Sequence, residues 1–301
     1  MSADGREIEV SKVANVLFPA DYFDRSEPDG ALRVEYEAAV LEARLDVSLF
    51  DLELFDESGR VVLSHPFLDC DLPVIYRGWM MKPNVYEAFH SGLAELGLRP
   101  LVSPEEYAEF HMFPLAYERH EALRLFSPQL LAFQGTEVDA DVVNERFSRF
   151  VVKDYVKSVK GTSFPTSIQT PITQVDLDTL VGEFVRLRGG LFTEGMVFKE
   201  AVNLKRYGDA TNEWRAFYLQ GRLLSVCRNS NQWAYAPMPP ESLVTSCESL
   251  GSPYYTVDFA ELEDGSLVVI ETGDGQVSGL ATAQAPVGHY RALADRLGKC
   301  G

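Results

Sequence analysis

Two runs of alternating character, 255–261 and 266–272, flank Asp264-Gly265. Both are rich in β-branched and aromatic residues, and Asp-Gly is a strong two-residue hairpin turn. That turn sets Asp258 opposite Glu271 and Phe259 opposite Ile270. Alternation gives Val257, Phe259, Val268 and Ile270 to a core face and leaves the two acids together on the other. A three-residue loop would shift the register and part them. Directly opposed like charges cost up to about 1 kcal/mol. A cation between them removes that cost, and Mg²⁺, which takes hard oxygen ligands, is the natural one. Asp274 lies just past the strand and is a candidate third ligand. The plainer alternative is a solvated acidic face on an edge hairpin.

Upstream, strand-like and helix-like stretches take turns. The apolar run 13–18 predicts a first strand. A helix over 31–44 follows, with Val34, Ala38, Leu41 and Leu45 at helical spacing. Further strands are expected at 47–50, 60–63 and 73–76. Asn84 is a good N-cap for a helix through Val85, Ala88, Phe89, Leu93 and Leu96, closed by Gly97. A short strand at 98–102 completes an open α/β layer. Ligands in such sheets bind beyond the carboxyl ends of strands. Two clusters lie there, Asp21-Tyr22-Phe23-Asp24 and Arg77-Gly78-Trp79. Arg77 is a candidate for gripping a substrate carboxylate, with Trp79, Tyr22 and Asp24 as further lining residues. The alternative is a surface arginine beside a packed tryptophan.

The middle of the chain changes character. A helix at 138–146 leads into a strand at 147–156 that carries Lys153, with Lys157 on the same face by period-two spacing. The loop 158–163 follows, polar and hydroxyl-rich with one glycine, Gly161. Its backbone N–H groups can cradle phosphate oxygens while the lysines act as point charges. No P-loop motif is present, and an edge strand guarded by lysines is the competing reading. A helix at 176–187 ends at Gly189-Gly190, and a strand at 195–202 embeds Lys199-Glu200. A second hairpin, 212–219 with 222–227, turns on Gln220-Gly221. Asn229 and Gln232 follow it as candidate site or loop-capping residues. An amphipathic helix over 280–297 closes with Gly298.

Composition narrows the function. A formal net charge of −18 argues against general binding to nucleic acid backbones. No apolar run approaches the ~20 residues of a membrane span, and the polar N-terminus has no signal-peptide pattern. Cys70, Cys227, Cys247 and Cys300 have no CxxC spacing, and the five histidines form no zinc pattern. A cytoplasmic protein with reduced thiols is expected, with a homodimer as the commonest assembly.

The order of the pieces is more specific than any one of them. A lysine strand and small polar loop, a helix, a strand with Lys-Glu, a Glu-x-Arg hairpin and an Asp-hairpin-Glu follow one another across 138–280. This order resembles the ATP-grasp superfamily, and within it the RimK-like carboxylate–amine ligases of a paired-lysine clade. The resemblance implies an α/β fold that becomes α+β in its C-terminal half. It implies a pre-ATP-grasp domain at 1–125, a small lid at 126–200 and an antiparallel-sheet domain at 201–301.

It also implies roles. Lys153 would reach the α- and β-phosphates of ATP, and Lys157 with the loop 158–163 would cover them. The hinge Lys199-Glu200-Ala201-Val202 would recognise adenine. Arg215 would face the γ-phosphate and an acyl phosphate. Asp258 and Glu271 would hold two Mg²⁺ ions, with Mn²⁺ as a substitute. The family usually places an Asn two residues beyond that Glu. Gly273 stands there instead, so Asp274 takes over or one metal is bound more loosely. The implied reaction joins a small-molecule or short-peptide carboxylate to an amine. A kinase-like phosphotransferase and a non-catalytic nucleotide-binding module are the alternatives.

Overall fold

The computed structural model describes residues 10–299. Cys300, Gly301 and the first nine residues lie outside them. The first layer runs β1 (Ala14–Pro19), α1 (Arg33–Leu41), β2 (Leu45–Phe50), α2 (Leu52–Ser58), β3 (Pro73–Tyr76), α3 (Pro83–Glu95) and β4 (Arg99–Pro100). Its strands form a parallel sheet in the order β2-β1-β3-β4. β1 is buried along its whole length, which explains its unbroken apolar run.

Three details differ from expectation. The strand expected at 60–63 is one isolated bridge, Phe50 to Leu63, because α2 occupies the preceding residues. In α1 the buried face is Ala38 and Ala39, while Val34 and Leu41 are exposed, so the helix packs through small residues. Helix α3 starts at Pro83 with Lys82 as N-cap, and Asn84 lies inside it. Proline at the first helical position supplies the required φ and needs no N–H partner.

Three short helices follow, α4 (Pro104–His111), α5 (Phe113–Arg119) and α6 (Glu121–Phe126). The second unit comprises β5 (Leu130–Gln134), α7 (Ala140–Arg146), β6 (Arg149–Asp154), β7 (Ile168–Gln169), α8 (Gln174–Arg188) and β8 (Gly195–Glu200). Its sheet, β5-β8-β6-β7, is antiparallel. One face packs Phe150, Val152, Met196 and Phe198 against Leu177, Val181 and Phe184 of α8. By alternation the other face carries Lys153, Val197 and Lys199.

The third unit comprises β9 (Arg206–Tyr207), β10 (Ala210–Thr211), β11 (Glu213–Leu219), β12 (Arg222–Arg228), α9 (Glu241–Ser246), β13 (Tyr254–Glu261), β14 (Leu267–Asp274) and α10 (Pro286–Leu297). Its antiparallel sheet runs β12-β11-β13-β14. Helix α10 returns to the first sheet. Tyr290, Leu293 and Leu297 join one core with Val16 and Phe18, along with Phe217 and Tyr254 of the third unit. The final helix is therefore shorter than 280–297 and ties the ends of the chain together.

Candidate active site

The site is built on one row of paired residues. Glu271 of β14 is opposite Asp258 of β13, Asp258 is opposite Arg215 of β11, and Arg215 is opposite Cys227 of β12. The hairpin reaches this pairing by an unexpected route. Leu262 bonds across to Ser266, so the loop is Glu263-Asp264-Gly265, with Gly265 at φ +87°. The register near the loop is shifted, and Phe259 pairs with Val269, not Ile270. A β-bulge between Asp258 and Phe259 then restores the pairing of the two acids. The core residues on β14 are accordingly Val269 and Leu267, in place of Val268 and Ile270. The bulge also exposes the Ile270 carbonyl, which accepts a hydrogen bond from Lys199 Nζ.

The cationic face of the second sheet closes over this acidic row. Lys153 Nζ donates to Glu271 Oε1 at 2.6 Å. Arg215 grips Asp258 with both arms, Nε to Oδ1 at 2.8 Å and Nη2 to Oδ2 at 2.7 Å, and its Nη1 donates to the Gly279 carbonyl. Each acid thus has its own cation. Lys199 is buried, and its Nζ lies 4.8 Å from the Phe113 ring centre. Burial, reinforced by Lys153, pushes the Lys199 ammonium down to about 7. Burial would raise Glu271, but Lys153, Lys157 and Lys199 outweigh it and hold the carboxyl at about 2.

One cavity is lined by Lys157, Arg215, Thr256, Asp258, Glu271 and Asp274, together with His111 and Met80. Lys157 reaches it from outside the strand, because β6 ends at Asp154 and residues 154–157 form a turn. The period-two argument for the lysine pair therefore fails, although both lysines act on Glu271. The donor set suits a hard cation. Asp258 and Glu271 are opposed on one ladder and face the cavity. Asp274 is fully buried, with Oδ1 accepting from Gln276 and Oδ2 without a hydrogen-bond partner. Among the described residues no three acidic, histidine or cysteine side chains already stand together as a metal cluster. Packing disfavours a side chain at Gly273. A Cβ there would lie 2.5 Å from Ser278 Oγ and 2.8 Å from Thr256 Oγ1, two hydroxyls that hydrogen-bond each other.

The remaining candidates fall elsewhere. Arg77 is 2% exposed. It bonds Glu35 at 2.6 Å and the carbonyls of Gly275, Gln276 and Ser278, so burial and these partners tie it to the protein and away from a substrate carboxylate. Its role is to fasten β3 to the loop after β14. Trp79 lines a neighbouring apolar cleft, with its indole N–H on Asp29. Tyr22 projects into solvent against Phe23, and Asp24 caps Ser26. Asn229 and Gln232 are tied to Glu213 of β11 and brace the loop after β12. In the hinge, the Glu200 N–H donates to Gln129 and the Ala201 N–H to Arg149. The strand ends at Glu200, short of the expected 202, and Val202 lies two residues beyond it.

His111 was not anticipated. It belongs to α4, whose start is marked in the sequence by a capping box, Ser103 with Glu106. Burial first, then Lys157, push its imidazole down to about 4.

Residues 140–293 match a family model described as an ATP-grasp domain, family 3 of its clade. Among curated proteins none matches the chain. The fold is similar to that of the ATP-grasp ligase PsnB complexed with minimal precursor, Mg and ADP, at 12% identity and TM-score 0.60 over 96% of this chain and 99% of that one. It is similar to macrocyclase MdnC from Microcystis aeruginosa MRC, bound with precursor peptide MdnA, at 14% identity and TM-score 0.57 over 94% and 99%. It is also similar to D-alanyl-alanine synthetase A from Vibrio cholerae O1 biovar eltor, at 12% identity and TM-score 0.60 over 96% and 98%. At these identities the likeness is one of fold.

Proposed function

The chain belongs to this family of ATP-grasp domains, and from that premise we propose that it is an ATP-dependent carboxylate–amine ligase. The observation that carries the reading is the row Glu271–Asp258–Arg215, which shares one cavity with Lys157 while Lys153 is paired to Glu271. Few reactions need carboxylates and cations set side by side around one small space. Transfer of a phosphoryl group is one, because charge develops on both sides of the transferred group.

In this reading Lys153 binds the phosphates from the lid side, and Lys157 covers them. The Val202 backbone and Lys199 bound the adenine end. Asp258 and Glu271, with Asp274 beside them, would hold Mg²⁺, which when bound neutralises phosphate oxygens. Arg215 is fixed by Asp258 and the Gly279 carbonyl, so its guanidinium is oriented before substrate arrives. It offsets charge on the group in flight. A carboxylate repels an attacking amine. Phosphorylation replaces that charge with a good leaving group, and the amine then forms the amide as phosphate departs. The closed lid face excludes the water that would otherwise intercept the activated acid.

The PsnB and MdnC complexes contain peptide precursors, and a small-molecule or short-peptide substrate pair is the corresponding proposal for this chain. The test is ADP release with a panel of carboxylates, with and without amines, on wild type and Glu271→Gln. Release that needs both partners and is lost in the folded variant supports the ligase. Release without an amine, giving a stable phosphorylated product, favours a kinase. Full activity in Glu271→Gln would remove the metal assignment.

A further inference from the structure

The site cavity adjoins a second one, and Met80, His111, Val156 and Lys157 line both. Lys82, Arg188 and Thr193 help complete the second, and no carboxylate lines it. On a chain of net charge −18 a cavity wall without an acid is notable. Lys82 and Lys157 are both exposed, and among the described residues neither has an ion-pair partner. Arg188 is committed, with Nε on Asp154 Oδ2 at 2.7 Å. Asp154 Oδ1 in turn accepts the N–H groups of Val156 and Lys157. This pair fixes the turn that brings Lys157 to the wall.

Two independent observations point to a ligand. His111 is 8% exposed, stacks on Tyr107 at 4.9 Å between ring centres, and makes no side-chain hydrogen bond among the described residues. Its ring nitrogens are not among the fully buried, unpartnered atoms, so they open to the cavity and are free to meet a ligand there. Helix α3, 13 residues long, begins beside the cavity with Lys82 as N-cap and no side chain capping it. Its positive end adds to the two lysines. Two lysines, an uncapped helix start and no acid in the lining suit an anion. Because the two cavities adjoin around the same four residues, a molecule that reaches past them would set that anion and a reacting group near Arg215 at its two ends.

We propose that this arm holds a second carboxylate of the substrate, so the enzyme acts on a compound or peptide with two carboxylates. One is activated beside Arg215, and the other accepts hydrogen bonds from Lys82 and His111. The inference rests on the ligase reading. A phosphate oxygen has the same acceptor chemistry, so the test separates the two sources.

Calorimetric titrations would compare succinate with butyrate, glutarate with pentanoate and adipate with hexanoate, each with and without AMPPNP and Mg²⁺. At least one diacid should bind about tenfold more tightly than its monoacid, the worth of one charge-assisted contact. Lys82→Glu should erase that difference and leave AMPPNP affinity unchanged, while Lys82→Arg keeps it. His111→Gln, which retains a donor, should keep the preference that His111→Phe loses. Equal binding of diacid and monoacid in every pair overturns the proposal. An equal loss of AMPPNP affinity in Lys82→Glu also overturns it and assigns the arm to nucleotide phosphate. If AMPPNP fails to bind wild type, the ligase reading falls. The diacid comparison without nucleotide still decides the subsite.

Discussion

Arg77 after β3 and Arg215 on β11 each meet a carboxylate, at 2.6 and 2.7 Å. Their surroundings differ. Arg77 is enclosed by Glu35, three backbone carbonyls and, through Glu35, the Tyr290 hydroxyl. All three of its nitrogens already donate to protein. Arg215 has Asp258 and one carbonyl, and its side chain is 21% exposed toward the cavity. The first pair joins units of the fold. The second leaves room for a third party. A strand-end arginine is therefore not by itself a sign of substrate binding, and what decides is whether its partners exhaust it.

The largest effect expected is on Arg77. Arg77→Ala strands the Glu35 charge and three buried carbonyls, and breaking such a pair costs about 3–5 kcal/mol. Chemical denaturation should report a loss of that order, and an unaltered midpoint would mean that the clamp is not structural. Arg215→Lys should do the reverse. The charge stays but the two-armed grip is lost, so turnover falls by about 10²–10³ while the midpoint moves little. A variant with normal turnover would remove Arg215 from the chemistry. Equal stability losses at the two arginines would erase the contrast itself.

The same contrast explains what was legible in the sequence. The ATP-grasp fold was, because it rests on the order of strands and embedded charges. The pairing of Asp258 with Glu271 was also legible, although for an incomplete reason. The turn is one residue longer than Asp-Gly suggests, and the bulge beside Asp258 takes the extra residue back. Bulges leave no clear mark in an apolar pattern, so Ile270 was placed in the core when its carbonyl serves Lys199. Lys157 was assigned to a strand that ends before it. Arg77 depends on a contact far along the chain, with Gly275, and His111 shares its cavity with the equally distant Lys157. Local periodicity does not carry those contacts.

A smaller effect tests why Gly273 stands beside the acids. Gly273→Ala pushes a methyl into the Thr256–Ser278 hydroxyl pair. Overpacking of this kind costs about 1–3 kcal/mol. Adding Ser278→Ala should recover part of it in a thermal melt. No recovery would mean that the hydroxyls are not what excludes a side chain there.

The smallest expected effect separates two acids on one strand. Glu271 is held at about 2 by its lysines despite burial. Asp274 is pushed up to about 7, first by burial, with the hydrogen bonds from Gln276 too weak to offset it. The signs are opposite. Glu271 is below its ordinary value of 4.5, so its contribution is present above that pH and lost as pH falls toward 2. Asp274 is above its ordinary value of 3.8, so the folded state holds its proton more tightly. That contribution is complete below 3.8 and lost as pH rises through about 7. Asp274→Asn keeps an acceptor for Gln276 and cannot ionise. In metal-free buffer its melting temperature should gain on wild type more at pH 8 than at pH 5. An equal difference at both would mean that the Asp274 carboxyl ionises at ordinary pH. Its unpartnered oxygen would then have to be satisfied by something other than its own proton.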